Sequence, residues 1–365
     1  MLEGLKIVEF EGLGPGPFAA MLLADLGAEV ITLQRPGGPP LAGVPPVSLL
    51  DRGKKTIALD LKSPADRPVI EALLRRADAL IEGNRPGVME RLGLGPEQVA
   101  ALNPALVYGR MTGWGQDGPR AAQAGHDLNY IALSGALWYA SPPGQPPMTP
   151  PTLLGDIGGG ALYLAVGLLA GVIAAGRTGK GCVVDAAIVD GSAHMMALVM
   201  LMQSGGLFRA RRGASLLDGP HWSRSYICAD GGFVTVQCLE PRFYAQFLSI
   251  LSLSEDPDLA RQMDPASWPR ATERLTFLFA SQPRDHWTAL FAGSDACVAP
   301  VLSPEEAAQD PHMAARGTWV QAHGALQPRP APRFDGQALN PAAPVGRDQH
   351  RAEILSLLEH PHAPR

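Results

Sequence analysis

The feature that most constrains this chain is the rhythm of its first third. Strand-like runs, LKIVEF (5–10), AEVITLQ (28–34), KTIALDL (55–61), DALIEG (78–83) and ALVYGRMTG (105–113), alternate with helix-like runs, PFAAMLLADLG (17–27) and ADRPVIEALLRRA (65–77). Pro17 stands in the first turn of one helical run and Gly27 near its end, the usual start and stop chemistry. Strand and helix alternating in this way predict a mostly parallel sheet covered by helices.

Proline-rich stretches at 35–46 and 142–151 break the rhythm as loops, because proline lacks the amide that a ladder or helix needs. The run KGCVVDAAIVDGSAHMMALVMLMQ (180–203) reads as a strand entering a long helix. GGFVTVQCLE (231–240) is again strand-like, PRFYAQFLSIL (241–251) helical, and from there to about 325 the chain reads as a smaller α+β unit. A third proline-rich run (327–344) is extended, and QHRAEILSLLEH (349–360) makes a closing helix. GALYLAVGLLAGVIAAG (160–176) has nearly the apolarity of a membrane span but is short and rich in Gly and Ala, so we expect a buried core helix and no membrane partner.

The net charge of −5 excludes the broad basic face that nucleic-acid binding needs. Cys182, Cys228, Cys238 and Cys297 lie far apart with no C-x-x-C pair, so neither a disulfide framework nor a zinc site is expected. A reducing, cytoplasmic home follows as an expectation. The N-terminus does not read as a signal peptide, nor HPHAPR (360–365) as a peroxisomal address.

GHDLNYIALSG (125–135) sets two titratable groups, His126 and Asp127, at the mouth of an apolar run. A buried charge is costly unless paired or put to use. Read blandly, His126 is a structural histidine and Asp127 a helix cap. In LLGDIGGGALY (153–163), Asp156 stands where a turn feeds an apolar helix. It caps that helix, or the free amides and three glycines there let a ligand approach and stabilise an oxyanion. Glu240 ends a strand, where α/β sites gather. Arg35, Arg52, Lys54, Lys55, Lys62, Arg85 and Arg91 concentrate positive charge in a way that suits a polyanionic small molecule. Met195, Met196, Met200 and Met202 are core, or a soft lining for acyl chains. GLGPGP (12–17) lacks the spacing of a dinucleotide fingerprint and reads as a tight turn before a helix; no P-loop occurs.

Collinear stretches then carry a resemblance over nearly the whole chain: GPGPFAAMLLADLGAEV, RGKKTIALDLK, RPGVMERLGLGPE, AGHDLNYIALSGAL, LLGDIGGG, RTGKGCVVDAAIVDG, LEPRFY and DACVAPVLSPEEA. The sequence resembles the α-methylacyl-CoA racemases, within the family III CoA-transferase superfamily. The resemblance implies an α/β fold with a large Rossmann-like domain and a smaller α+β domain, in an interlocked homodimer. It sets 1–188 as the first part of the large domain, 189–222 as linker helices, 223–325 as the small domain, and 326–365 as a tail returning to the large one. The active site would lie between the large domain of one chain and the small domain of the other.

The resemblance also implies site residues: His126 and Asp156 as the acid/base groups, with Glu240 supporting the histidine. Arg35, Leu59, Asp60, Leu61 and Lys62, the stretch containing Gly125, Asp127 and Tyr130, and Arg85 and Arg91 would hold coenzyme A. The substrate would be an acyl-CoA thioester of fatty acid catabolism, with no separate cofactor and no metal. Racemisation removes an α-proton on one face and returns it on the other, so two groups are the minimal design. A neutral histidine is a competent base, and Asp156 needs a pKa raised by partial burial. The histidine is expected to be sheltered. The alternative is a CoA-transferase in which Asp156 attacks the thioester, and a third is a catalytically silent CoA-binding protein. Gln237, Cys238 and Leu239 replace the small apolar residues usual before the glutamate, and Thr152 replaces an asparagine.

Overall fold

The computed structural model describes residues 1–38 and 47–359, so part of the first proline-rich loop and the last six residues lie outside it. Two compact units form. The first comprises 1–136, 150–195 and the segment from Pro311 onward; the second comprises 137–149 and 196–310.

The sheet of the first unit has six parallel strands: β1 (Lys6–Phe10), β2 (Glu29–Gln34), β3 (Lys55–Ala58), β4 (Ala79–Glu82), β5 (Val107–Thr112) and β6 (Val183–Ala187). Their order is β3-β2-β1-β4-β5-β6. Successive residues point to opposite faces of a strand. Ile7, Val30, Ile81 and Val107 therefore share one core with α1 (Pro15–Asp25), while Val8, Ile31, Leu80 and Tyr108 share the other with α2 (Arg67–Arg76) and the C-terminal helix Arg351–Glu359. Burial on both faces is why these strands read as continuous apolar runs rather than alternating ones.

Three further helices bear on the site: α3 (Asp127–Leu133), α4 (Leu162–Thr178) and α5 (Ile188–Met195). A π-helical segment, Leu153–Ala161, runs directly into α4. Together they make a 26-residue run, Leu153–Thr178, long and apolar enough to cross a membrane. The expected fully buried helix is only half realised. Leu164, Ala165, Leu168 and Gly171 of α4 pack inward, whereas Val166 and Ile173 stay 66% and 57% exposed.

The long helix expected after β6 breaks at Met196, where the chain passes into the second unit. The unit boundaries accordingly fall after Met195 and Asp310, not after 188 and 325. α5 stays with the sheet because it packs against the π segment, so closely that a Cβ on Gly191 would lie 1.9 Å from the Gly159 carbonyl oxygen. The hairpin Trp319–Ala322/Ala325–Pro328 stays with it through Arg52, which donates to Gln327 Oε1 (3.0 Å) and the Pro328 carbonyl (3.2 Å).

Edge strand β3 is closed by the C-terminal segment. Thr56 Oγ1 donates to the Gly346 carbonyl (2.7 Å), the Ala58 amide to Asp348 Oδ1 (2.7 Å) and the Thr56 amide to His350 Nδ1 (3.2 Å).

The second unit holds a three-stranded antiparallel sheet, β7 (Ser223–Ile227), β8 (Phe233–Gln237) and β9 (Val298–Val301), in that order. α6 (Ala197–Ser204), α7 (Pro241–Ile250), α8 (Trp268–Phe279) and α9 (Arg284–Phe291) accompany it. Its core is aromatic, with Phe247 stacked on Phe291 at 5.7 Å and Trp287 edge-on to Phe279 at 5.0 Å.

Candidate active site

All six strands of the first sheet end at one edge, and β1 and β4 are neighbours although the chain order reverses between them. Ligands of open parallel sheets bind at such a switch point. The loop after β1 carries Gly14, which caps α1 with φ 64°, and a Cβ there would lie 3.8 Å from Asp156 Oδ2. The tight turn before α1 thus brings the Asp156 carboxylate to the switch point.

His126 caps α3. Its amide donates to Asn129 Oδ1 (3.1 Å) and its carbonyl accepts from the Asn129 amide (2.8 Å), so the backbone is fixed while the side chain is exposed. The sheltered histidine expected from the sequence is therefore open within this chain. Asp127, the next residue, is buried, and its Oδ1 accepts from the amides of Gly155 (2.9 Å) and Asp156 (2.8 Å). Two amides at the start of the π segment, those of Gly155 and Asp156, are thus taken by Asp127 and not free for an oxyanion. Nor does Asp156 cap a helix: it lies inside the π segment, whose cap residue is Thr152. Thr152 holds φ 63°, a left-handed backbone that asparagine adopts more readily than a β-branched residue.

Burial pushes the Asp156 carboxyl up to about 6; the negative charge of Asp127 adds to the rise, and His126 opposes it. Tyr130 donates its hydroxyl to the Gly125 carbonyl and meets Trp114 edge-on at 4.7 Å. A Cβ on Gly113 would lie 1.9 Å from Tyr130 Cζ, so only glycine fits beneath that ring. Burial and the Asp156 charge raise the Tyr130 phenol, and Arg85 opposes them, which puts all three groups in one field.

The coenzyme-binding candidates divide by position. Arg35 follows β2, Asp60, Leu61 and Lys62 follow β3, and Arg85 follows β4, all at the same edge of the sheet. Arg35, Asp60, Lys62, Arg85 and Arg91 are exposed, whereas Leu59 is core. The rest of the basic cluster is internal structure. Arg52 pairs with Asp25 (2.5 Å), Lys54 with Glu9 (2.7 Å), and Lys55 with Glu29 (3.2 Å) and Glu353 (2.8 Å).

Trp114, Arg120, Ala124, Asn129, Ala132 and Leu133 line an open cleft of about 400 Å³ beside α3. Trp114 and Arg120, whose guanidinium lies 5.5 Å over the Trp114 ring, stand in no motif of the sequence that marks them. A tighter cavity of about 140 Å³ lies at the opposite edge, between Lys6, Glu29, Arg76 and Ile354, and holds none of the candidate residues. In the second unit, Glu240 is exposed at the start of α7, and burial together with its charge raises the Cys297 thiol.

A sheet of this order, with a histidine and a raised carboxyl near its switch point, is an α/β arrangement with titratable groups at the carboxyl edge of its strands. The chain belongs to CoA-transferase family III, whose family model matches residues 2–349. It is an enzyme of that family. An α-methylacyl-CoA racemase of Homo sapiens is 42% identical over 363 residues, covering 97% of this chain and 92% of that protein. An acetyl-CoA:oxalate CoA-transferase of Acetobacter aceti is 31% identical, covering 89% and 87%. The crystal structure of a CAIB/BAIF family protein from Brucella suis superposes with a TM-score of 0.82 at 27% identity, covering 98% of this chain and 99% of that one.

Proposed function

We propose that the protein is a racemase of 2-methylacyl-CoA thioesters. It interconverts the 2R and 2S forms by moving the α-proton through an enolate, with His126 and Asp156 as the two acid/base groups. Asp156 carries this reading. A carboxyl pushed up to about 6 is mostly ionised at neutral pH but within reach of protonation, as a group that both gives and takes a proton requires. A nucleophilic carboxylate has no need of such a shift, since an ordinary carboxylate is already ionised at neutral pH. The name carried by the relative at 42% identity supports the same reading. The transferase reading keeps Asp156 as nucleophile and has the Acetobacter aceti relative behind it. The deciding experiment is α-proton exchange from 2-methylacyl-CoA into deuterated water, followed by NMR without any acceptor acid. No exchange, together with an Asp156 acyl anhydride trapped by hydroxylamine when an acceptor is present, would establish the transferase.

Arg35, Lys62, Arg85 and Arg91 would hold the coenzyme A phosphates, together with the backbone at Leu59–Lys62 and Gly125–Tyr130. Arg35→Ala and Lys62→Ala are each expected to raise KM by roughly tenfold, a charge-assisted hydrogen bond being worth about 1.5 kcal/mol or more. KM should also become less sensitive to salt. Two variants with unchanged KM would remove this edge as the coenzyme site.

We further propose that the enzyme works as a homodimer, with Glu240 of one protomer completing the site of the other. The exposed apolar stripe of Leu162, Val166 and Ile173 on α4 supports association, since such stripes are rarely left to water. Sedimentation is expected to give a dimer; an active monomer at micromolar concentration would refute it.

A further inference from the structure

We propose that Asp127 is a positioning residue for Asp156: its carboxylate fixes the peptide that carries Asp156 and supplies the negative charge against which that side chain ionises. The inference builds on the reading of Asp156 as an acid/base group and adds a residue to it.

The geometry is specific. Asp127 is buried at the first position of α3, and one of its oxygens accepts two consecutive amides, those of Gly155 and Asp156. The approach is so close that a Cβ on Gly155 would lie 2.4 Å from Asp127 Oδ1, so the glycine before Asp156 is what lets the carboxylate reach. Asp127 is also bonded through the chain to His126. A single residue therefore ties both acid/base groups to one frame, and misplacement of such groups by about 1 Å can cost roughly 100-fold in rate.

The second part of the role is electrostatic. Two carboxylates held this near each other resist being ionised together. The charges that bear on Asp156 are Asp127, which raises its pKa, and His126, which lowers it. The neighbouring elements direct theirs elsewhere. Tyr130 of α3 shares the field with Arg85. On α5, His194 is bonded to the Tyr163 hydroxyl (2.6 Å), and Asp190 acts on Asp185. On α1, Asp25 is paired with Arg52.

The two parts separate in two variants. Asp127→Asn keeps an oxygen that accepts both amides and removes the charge; Asp127→Ala removes both. The measurement is the carboxyl ¹³C NMR titration of Asp156, assigned with Asp156→Asn, alongside the pH profile of kcat/KM for α-proton exchange. In Asp127→Asn the Asp156 midpoint is expected to fall by roughly one pH unit, since a like charge is gone. The acid limb should fall with it for both enantiomers, because the productive enzyme carries one proton shared between His126 and Asp156. Asp127→Ala should in addition lose about 100-fold in kcat.

A merely structural role would lower kcat at every pH and leave the limb in place, which would overturn the proposal. So would a wild-type Asp156 titrating in the ordinary carboxylate range, a result that needs no variant. A midpoint that shifts as expected in an enzyme that exchanges no α-proton would support Asp127 and overturn the racemase reading.

Discussion

Asp156→Asn is expected to lower interconversion of 2-methylacyl-CoA enantiomers by about 10³-fold while making the fold more stable at neutral pH. The loss follows from removing one of two proton carriers, each worth roughly 10²- to 10⁴-fold. The gain follows from burial. The folded carboxyl has its pKa raised from an ordinary value of 3.8 to about 6, so ionising it costs the folded state more than the unfolded one. That cost is absent below about pH 4 and complete above about pH 6. Asparagine never ionises. Thermal melts should therefore show the variant more stable by on the order of 1–2 kcal/mol at pH 7, allowing for the partial exposure of the group. The two curves should converge near pH 4. A variant less stable than wild type at pH 7 would contradict the raised carboxyl.

The companion variant His126→Ala should lose interconversion to a similar degree. Each single variant keeps one base, so the two should wash deuterium into opposite enantiomers. In a transferase His126→Ala would keep much of its activity, and no such opposition would appear.

The largest loss of stability is expected from Lys54→Met. Lys54 Nζ lies 2.7 Å from Glu9 Oε2 and 3.2 Å from the Pro17 carbonyl, with side-chain exposures of 0% and 1% for the ion pair. Taking away one partner leaves a buried carboxylate whose remaining donor is Thr32 Oγ1 at 2.7 Å. Breaking a buried pair from one side costs about 3–5 kcal/mol. Adding Glu9→Gln to Lys54→Met should recover part of it: the Glu9 charge disappears, while Asp51, 3.8 Å from Lys54 Nζ, still loses its cation. Lys55→Ala, by contrast, removes pairs that are partly solvated and should cost less than about 1 kcal/mol. Urea unfolding midpoints distinguish these cases; a loss below 1 kcal/mol for Lys54→Met would show that water reaches Glu9.

Lys54 also shows where the sequence could be read and where it could not. The strands and helices of the first sheet were legible because a doubly covered parallel sheet leaves apolar runs punctuated by Pro and Gly. His126 and Asp156 stand out in the sequence as candidates because each sits in a short motif. The run from Arg52 to Lys55 was misread as a ligand surface, because sequence shows a charge but not its partner. Asp25, Glu9, Glu29 and Glu353, which take those cations, lie far away along the chain. The grip of Asp127 on Asp156 was invisible for the same reason: 29 positions separate them. The half-exposed face of α4 escaped notice because an apolar helix reads alike whether its second face meets protein or water.

The closure of β3 by the C-terminal segment has a consequence for how the protein is made. On a ribosome the strand emerges long before Gly346, Asp348 and His350, which are the groups that occupy its outer edge. At roughly 5–20 residues per second, the 288 positions from 58 to 346 take about 15–60 s to synthesise. Throughout that interval the nascent chain presents an unpaired strand edge, the kind of template that recruits other chains. Newly made protein therefore passes through a sticky stage that the finished one does not have, and chaperone demand should concentrate there. Truncation before residue 346 would make that stage permanent.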